Sequence, residues 1–326
     1  MRKYHVYGMG AALVDTEIEV SDSDLSTMNV EKGVMTLVDE ARQTELLGHL
    51  SNHLTQSKRA SGGSAGNTII AVSYFGGNTF FSGKVSNDDN GDFYMRDMQQ
   101  AGVDVCSAPT EAGITGKCLI LITPDAERSM NTFLGTSEQF SERELDSKAI
   151  AESEYLYIES YLVTSDSCRA AAISARKTAQ QNNTKVALSF SDPGIVAHFA
   201  AGVREIIGEG IDLIFCNEDE ALSFADTDKI DIAIDAIKAV AKEFVITLGA
   251  KGALIYNGEE LISIDGTATT AVDTNGAGDM FAGAYLYGIT HNMSQQQAGE
   301  FASVAAAKIV SQFGPRLSAE GYKELL

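Results

Sequence analysis

The chain reads as an α/β protein, a doubly wound and mostly parallel sheet with helices on both faces, plus a small β-rich lid. Three observations carry this. From about residue 141 onward, short apolar strands alternate with helices, which is the rhythm of a parallel sheet covered on both sides. Two segments, 16 to about 38 and about 105 to 136, break that rhythm. Both are rich in strand formers, Thr and charged residues, and neither holds a good long helix. Finally, the turn Asp273-Thr274-Asn275-Gly276-Ala277-Gly278-Asp279 runs straight into the apolar stretch 280–287, which reads as a buried helix. The expectation is one domain over residues 1–326, with 16–38 and 105–136 as the lid; the same two segments would also serve as ordinary surface insertions.

The elements follow in order. The first strand comes almost at once, after Met1-Arg2-Lys3, with no signal-peptide pattern. Ser141-Glu142-Arg143-Glu144 has capping-box form and opens a helical stretch. Residues 155–158 read as a strand, 166–181 as an Ala-rich helix, and 185–190 as a strand. Residues 211–216 read as a further strand, followed by a short helix and a longer one over 230–242. Residues 244–248 return to strand. In such sheets ligands bind beyond the carboxyl ends of the strands.

Composition bounds the function. The 326 residues suffice for one large domain or two modest ones. The net charge of −21 argues against nucleic acid and against an anionic membrane surface. It suits solubility, and a local anion hole with a divalent cation still admits an anionic substrate. No apolar run approaches a membrane span. Cys106, Cys118, Cys168 and Cys216 lie far apart without a C-x-x-C pair, so reduced thiols in a cytoplasmic protein are expected. The five histidines lack metal-ligand spacing.

The glycine turn carries the chemistry. At a helix N-terminus, unpaired amides and the helix dipole attract anions. Asp279 stands at the same place. Amides to hold a transferring phosphate, with a carboxylate to take the proton of the attacking hydroxyl, suit phosphoryl transfer. The plainer alternative is a glycine loop with Asp279 as helix cap. Rival motifs are weaker. Gly8-Met9-Gly10-Ala11-Ala12-Leu13 ends in Leu where a dinucleotide fingerprint needs Gly or Ala. Gly62-Gly63-Ser64-Ala65-Gly66 matches G-x-S-x-G, the nucleophile elbow of serine hydrolases, with His198 or His291 as candidate base. An elbow needs a strand before it, and residues 56–61 read as polar and turn-like.

Taken together the motifs resemble the ribokinase-like, or PfkB, carbohydrate and nucleoside kinases. Asp273–Asp279 resembles that family's D-T-x-G-A-G-D signature, Gly62-Gly63-Ser64-Ala65-Gly66-Asn67 its G-G-x-x-x-N signature, Asn217-Glu218-Asp219-Glu220 its N-x-x-E motif, and Thr247-Leu248-Gly249-Ala250-Lys251-Gly252 its T-x-G-x-x-G loop. They stand in the family's order across nearly the whole chain. Asn275, Ala12-Leu13-Val14-Asp15 and Glu127-Arg128-Ser129 are most similar to the adenosine kinase branch, while similar lids in bacterial sugar kinases keep ribose, fructose or a keto-sugar acid open as acceptors.

The resemblance implies roles. Asp279 is the general base, and Gly276, Ala277 and Gly278 form the anion hole. Glu220 acts on Mg²⁺ through water, with Asn217 beside it; otherwise they belong to a capped surface helix. Thr247, Gly249 and Gly252 bring amides to ATP, or form a plain hairpin turn. Asp15, Gly63 and Asn67 bind the acceptor, Asp15 from just past the first strand; otherwise Asp15 is a solvated loop residue and Asn67 a helix cap. Arg128 swings in with the lid, or stays a solvated charge, and Phe133 is the best guess for a base-stacking ring. Activation by a monovalent cation such as K⁺, frequent in that family, is left open, as is a monomer against a lid-mediated homodimer. The expected partner is a small nucleoside or sugar.

Overall fold

The computed structural model describes residues 2–50, 58–106, 111–125 and 127–326. Residues 56 and 57 of the stretch before Gly62, and 107–110 and 126 of the second expected lid segment, lie outside them. Among the described residues, the strands are β1 (Tyr4–Met9), β2 (Leu13–Glu19), β3 (Met35–Leu37), β4 (Lys58–Gly62), β5 (Thr79–Ser82), β6 (Asp104–Val105), β7 (Gly116–Ile122), β8 (Arg128–Phe133), β9 (Ser153–Glu159), β10 (Lys185–Ser189), β11 (Ile211–Asn217), β12 (Ala241–Thr247), β13 (Gly252–Tyr256) and β14 (Leu261–Asp265).

The main sheet has the order β14-β13-β12-β11-β10-β9-β1-β5-β6. From β12 through β6 every pairing is parallel; β13 and β14 add an antiparallel edge. Its strands are apolar on both sides because both faces are covered. On β11, Leu213 and Phe215 join one core with helices Ser64–Tyr74, Ala277–Thr290 and Gln295–Val310, while Ile214 and Cys216 join the other with helices Asp166–Gln181 and Ile230–Lys238. This is the period-two alternation of a strand buried twice over. Chain order reverses between β1 and β9. After β1 the chain builds outward through β5 to β6, and from β9 it builds the other way. A reversal of this kind opens a crevice beyond the strands' carboxyl ends.

The second sheet has the order β3-β8-β7-β2-β4. Its strands come from the two atypical segments and from outside them. β2 begins at Leu13, before residue 16, and β4 was read as a turn. Lys58, Arg59 and Ser61 lack the apolar alternation of a strand because β4 lies at the sheet's edge, where charged and polar residues are tolerated. The outer face of this sheet is closed by Leu119 and Leu121 packing against Leu25, Met28, Leu46 and Leu50. Those last four come from, or directly follow, helices Asp22–Thr27 and Glu40–His49.

Two helical expectations need correction. The Ser141 capping box forms, yet it opens only a short 3₁₀ turn, Glu142–Glu144, and a new cap at Asp146 starts helix Ser147–Ala151. The helix expected over 230–242 ends at Lys238, because Ala241 already pairs with Ile211 as β12 begins.

The two largest apolar cores flank the main sheet. Leu188, fully buried in β10, should cost about 2–5 kcal/mol when replaced by Ala. Leu37, 46% exposed at the edge of the small sheet, should change stability by no more than about 0.5 kcal/mol when replaced by Ala. Urea denaturation of the two variants checks this, and equal shifts in midpoint would contradict it.

Candidate active site

The site begins with one backbone conformation. Gly276 has φ +73°, and a Cβ there would lie 2.5 Å from the Pro315 carbonyl oxygen. The turn it makes starts helix Ala277–Thr290, which no side chain caps. Ala277 N–H leans weakly on the Thr274 carbonyl at 3.3 Å. The first-turn amides of such a helix have no partners within it, and a Cβ on Gly278 would meet nothing within 4 Å, so this end faces open space. The loop is held from below. Buried Asp273 accepts the Asn275 N–H at 2.8 Å and the Gly314 N–H at 2.9 Å. Arg128, on β8, donates from Nη1 to Asn275 Oδ1 at 2.8 Å, and Asn275 Nδ2 donates to Glu17 Oε1 at 3.0 Å. Arg128 is thus already tied to the signature loop, and two strands of the small sheet touch it.

Asp279 stands in that first turn. Helix Ser64–Tyr74 packs beside it so closely that a Cβ on Gly283 would lie 2.8 Å from the Thr68 carbonyl oxygen. Ser64 Oγ donates to Asp279 Oδ1 at 2.7 Å, and Asn67 Nδ2 donates to Oδ2 at 3.2 Å. Burial pushes the carboxyl up to about 6, against the opposing pull of these two bonds. Asn67 Oδ1 is buried without a partner, an acceptor left for a ligand's donor. Gly63, before this helix, has φ +84°, and a Cβ there would sit 2.2 Å from the Ala11 carbonyl oxygen. The Ser64–Tyr74 helix therefore places Asn67 inside its first turns, and Gly63 is the cap residue.

Asp15 is not in a loop past the first strand. It lies within β2, in register with Cys118 of β7 and Ala60 of β4. There it is 5% exposed. Burial, and then the neighbouring Glu17, push its carboxyl well above the usual carboxylate range.

On the opposite wall, Asn217 and Glu220 form a reciprocal cap at the end of β11. Glu220 Oε1 accepts from Asn217 Nδ2 at 2.9 Å and Oε2 from its N–H at 3.0 Å, while Asn217 Oδ1 accepts the Glu220 N–H at 2.8 Å. Burial pushes Glu220 up to about 7, with Asp192 adding to the shift. Asp192 itself caps helix Pro193–His198 at the end of β10. Among the described residues no three His, Cys, Asp or Glu side chains converge to hold a metal by themselves.

These groups share a cavity of about 410 Å³, lined by Asp15, Gly63, Asn67, Arg128, Asn217, Glu220, Gly276, Ala277, Gly278 and Asp279. The size is ordinary for a small-molecule site. Thr247 pairs with Asn217 in register, but Thr247, Gly249 and Gly252 fall outside the cavity, in the β12–β13 connection. The small sheet turns its inner face to the cavity with Leu13, Cys118, Ile120, Met130 and Leu134. Arg128, Met130 and Thr132 are the β8 residues that line it. Phe133 is one position out of that alternation and falls on the other face, so the ring expected to stack on a base does not reach it.

Sequence reasoning missed Glu159, Asp192 and Tyr161, all lining the cavity. The available signal was position: Glu159 ends β9, and Asp192 lies just after β10. The serine elbow needs a different dismissal from the one its sequence suggested. A strand does precede it, β4, yet Ser64 donates to Asp279, while His198 pairs with its own helix's Gly194 carbonyl and His291 stacks on Tyr287.

Known proteins share this fold. A probable sugar kinase from Rhizobium etli superposes with a TM-score of 0.93 at 31% identity, over 100% of both chains. The adenosine kinase from Sinorhizobium meliloti gives 0.92 at 30% identity, over 99% of this chain and 98% of that one. By sequence, the adenosine kinase of Saccharomyces cerevisiae is 27% identical over 333 residues, 96% of each chain. The pfkB family carbohydrate kinase model matches residues 34–320. The chain therefore belongs to the pfkB carbohydrate kinase family, and is an ATP-dependent phosphotransferase with an alcohol group of a nucleoside or sugar as acceptor.

Proposed function

We propose that the acceptor is a nucleoside, with adenosine first, phosphorylated on its primary hydroxyl. The observation that carries this is the two-part cavity. Asp15 and the unpartnered Asn67 Oδ1 form a polar end suited to ribose hydroxyls, and Leu13, Cys118, Ile120, Met130 and Leu134 form an apolar face suited to a base. A free sugar leaves that apolar face unused. The adenosine kinases among its relatives support the reading. A sugar acceptor is the second reading, supported by the likeness to a probable sugar kinase over the full chain.

In this reading Ser64 and Asn67 aim the Asp279 carboxylate at the hydroxyl, and Asp279 accepts the proton as the new O–P bond forms. The amides of Gly276, Ala277 and Gly278 hold the transferring phosphoryl group, and Arg128 adds positive charge beside them. Thr247, Gly249 and Gly252 serve the nucleotide from outside the acceptor cavity. Within one 1–326 unit, the small sheet of β3, β8, β7, β2 and β4, drawn largely from the expected segments 16–38 and 105–136 though Val105 itself pairs in the main sheet, acts as the lid that excludes water. Glu220 and Asn217 fit a Mg²⁺ that keeps most of its water, since Glu220 is a buried carboxylate facing the cavity and, among the described residues, no closed set of protein ligands is built. Bound there, the ion would neutralise phosphate charge.

Asp279→Asn should lower turnover by about 10²–10⁴ while nucleotide affinity stays near normal. Wild-type kcat/KM should fall as pH drops through about 6, because the base works only as the anion and acid protonates it. Steady-state kinetics across pH checks both; a folded Asn variant with normal turnover rules Asp279 out.

Glu220→Gln should raise the Mg²⁺ concentration for half-maximal rate, through loss of the anionic partner of the ion's water shell. A Mg²⁺ titration unaffected by the change would leave Glu220 as a helix cap only.

Adenosine should exceed ribose and fructose in kcat/KM by about 10²-fold or more, the expected return from burying a base on an apolar face. An ADP-release screen across nucleosides and sugars decides it. Equal or better use of a free sugar makes the second reading correct.

A further inference from the structure

We propose that Glu159 is a positioning residue whose buried carboxylate ties the root of the lid to the helix that aims the catalytic base. The inference rests on the kinase reading of this cavity. Glu159 ends β9 at the point where chain order reverses, and is 0% exposed. Its Oε1 accepts the Ala11 N–H at 2.7 Å and its Oε2 accepts the Ala65 N–H at 2.7 Å. Those two amides belong to different parts of the site. Ala11 lies in the short connector from β1 to β2, which carries Asp15. Ala65 lies in the first turn of helix Ser64–Tyr74, next to Ser64, which donates to Asp279.

Only a carboxylate presents an acceptor on both arms. A carboxamide of the same size offers one acceptor and one donor, so one buried amide would face an N–H₂ group. An uncompensated buried charge would be expelled or neutralised. Here two short amide bonds hold it, at the N-terminus of an 11-residue helix whose dipole favours an anion. Room for it is reserved, since a Cβ on Gly10 would sit 2.5 Å from the Glu159 carboxyl carbon. Desolvation still pushes the group up to about 7, with Asp279 adding to it.

The two sides are not held equally. The helix side is fixed by its own backbone bonds and by packing against Ala277–Thr290. Among the described residues the connector side has fewer ties: Ala12 N–H and carbonyl to Ser137 Oγ at 3.1 and 2.9 Å, Gly10 N–H to the Ser82 carbonyl at 3.3 Å, and Glu159. Losing the carboxylate therefore loosens the connector and the Asp15 strand first, which weakens acceptor binding more than the chemical step.

The test is E159Q in the full-length enzyme, with two readouts. Amide hydrogen exchange of the protein without ligands should quicken at Ala11 and around β2 while β11 stays protected. KM for the acceptor that is turned over should rise about 10- to 100-fold, with kcat and KM for ATP little changed. Should E159Q fail to fold, G10A displaces the carboxylate sterically and should give the same pattern. Unchanged exchange at Ala11 overturns the proposal, and so does a fall in kcat at constant acceptor KM. The exchange arm needs no acceptor, so it holds whether the acceptor proves to be adenosine or a sugar; failure of the adenosine reading shows instead in the substrate screen.

Discussion

Everything in the site depends on keeping several carboxylates out of bulk water around one cavity. Asp15, Glu159, Glu220 and Asp279 all have carboxyls raised above the ordinary range, in each case first by burial. Left bare, such groups would pick up protons. They are held as acceptors by backbone amides and short side chains: Ala11 and Ala65 for Glu159, Asn217 for Glu220, Ser64 and Asn67 for Asp279. Folding supplies these donors from the carboxyl ends of parallel strands and the amino ends of helices, so sheet topology and site electrostatics are one arrangement. The raised values also mean that the site opposes folding at neutral pH. For an acid whose folded pKa lies above its unfolded one, the native state binds more protons. For Asp279, Glu159 and Glu220 the opposition is absent below about pH 4, where both states are protonated, and complete once pH has risen past about 7.

In the proposed mechanism that cost has a function. A carboxylate near pKa 6 is a better proton acceptor than one near 4, yet is still mostly ionised at neutral pH. Phosphoryl transfer brings a strongly anionic nucleotide into a chain of net charge −21. The conflict is resolved locally. Arg128 stands at the signature loop, and the uncapped helix start offers amides to the phosphoryl group in the proposed mechanism. Global charge therefore says little about this substrate, and serves the chain's solubility.

Much of the fold could be read from residues alone, for physical reasons that also mark the limits. Helix Asp166–Gln181 matched its expected bounds because its Ala-rich apolar stripe, Cys168, Ala171, Ala172, Ala175 and Ala179, runs its whole length. β9 to β12 were visible because strands buried on both faces must be apolar throughout. β4 was not, since an edge strand needs little apolar surface, and Lys58 and Arg59 look like a turn. The helix from Ile230 overran because its apolar period passes without a break into that of β12. In the site, the glycine signatures led directly to Asp279, Asn67 and Gly63, which the structure brings within hydrogen-bond reach or into shared walls. Glu159 and Asp192 carry no motif. What selects them is position, Glu159 at the end of β9 and Asp192 just past β10, and the convergence of those strand ends on one cavity is visible only once the strands are paired.

Phe133 shows how a single residue's placement changes a functional argument. A base-binding lid invites an aromatic ring, and Phe133 was the available one in sequence. Strand alternation instead turns Met130 and Thr132 inward, beside Cys118 and Ile120 of β7. Among the described residues the inner face is then mainly aliphatic and sulfur-bearing, without a lid ring to stack. Such a face gains from buried apolar area and little from ring geometry. On the nucleoside reading proposed above, it would hold a planar base by contact and leave orientation to the polar end, where Asp15 and Asn67 would read the hydroxyls. Precision at that end depends on how firmly β2 is rooted, and its root is the connector through Ala11, so a lid that recognises weakly by shape places more weight on the backbone that carries Asp15.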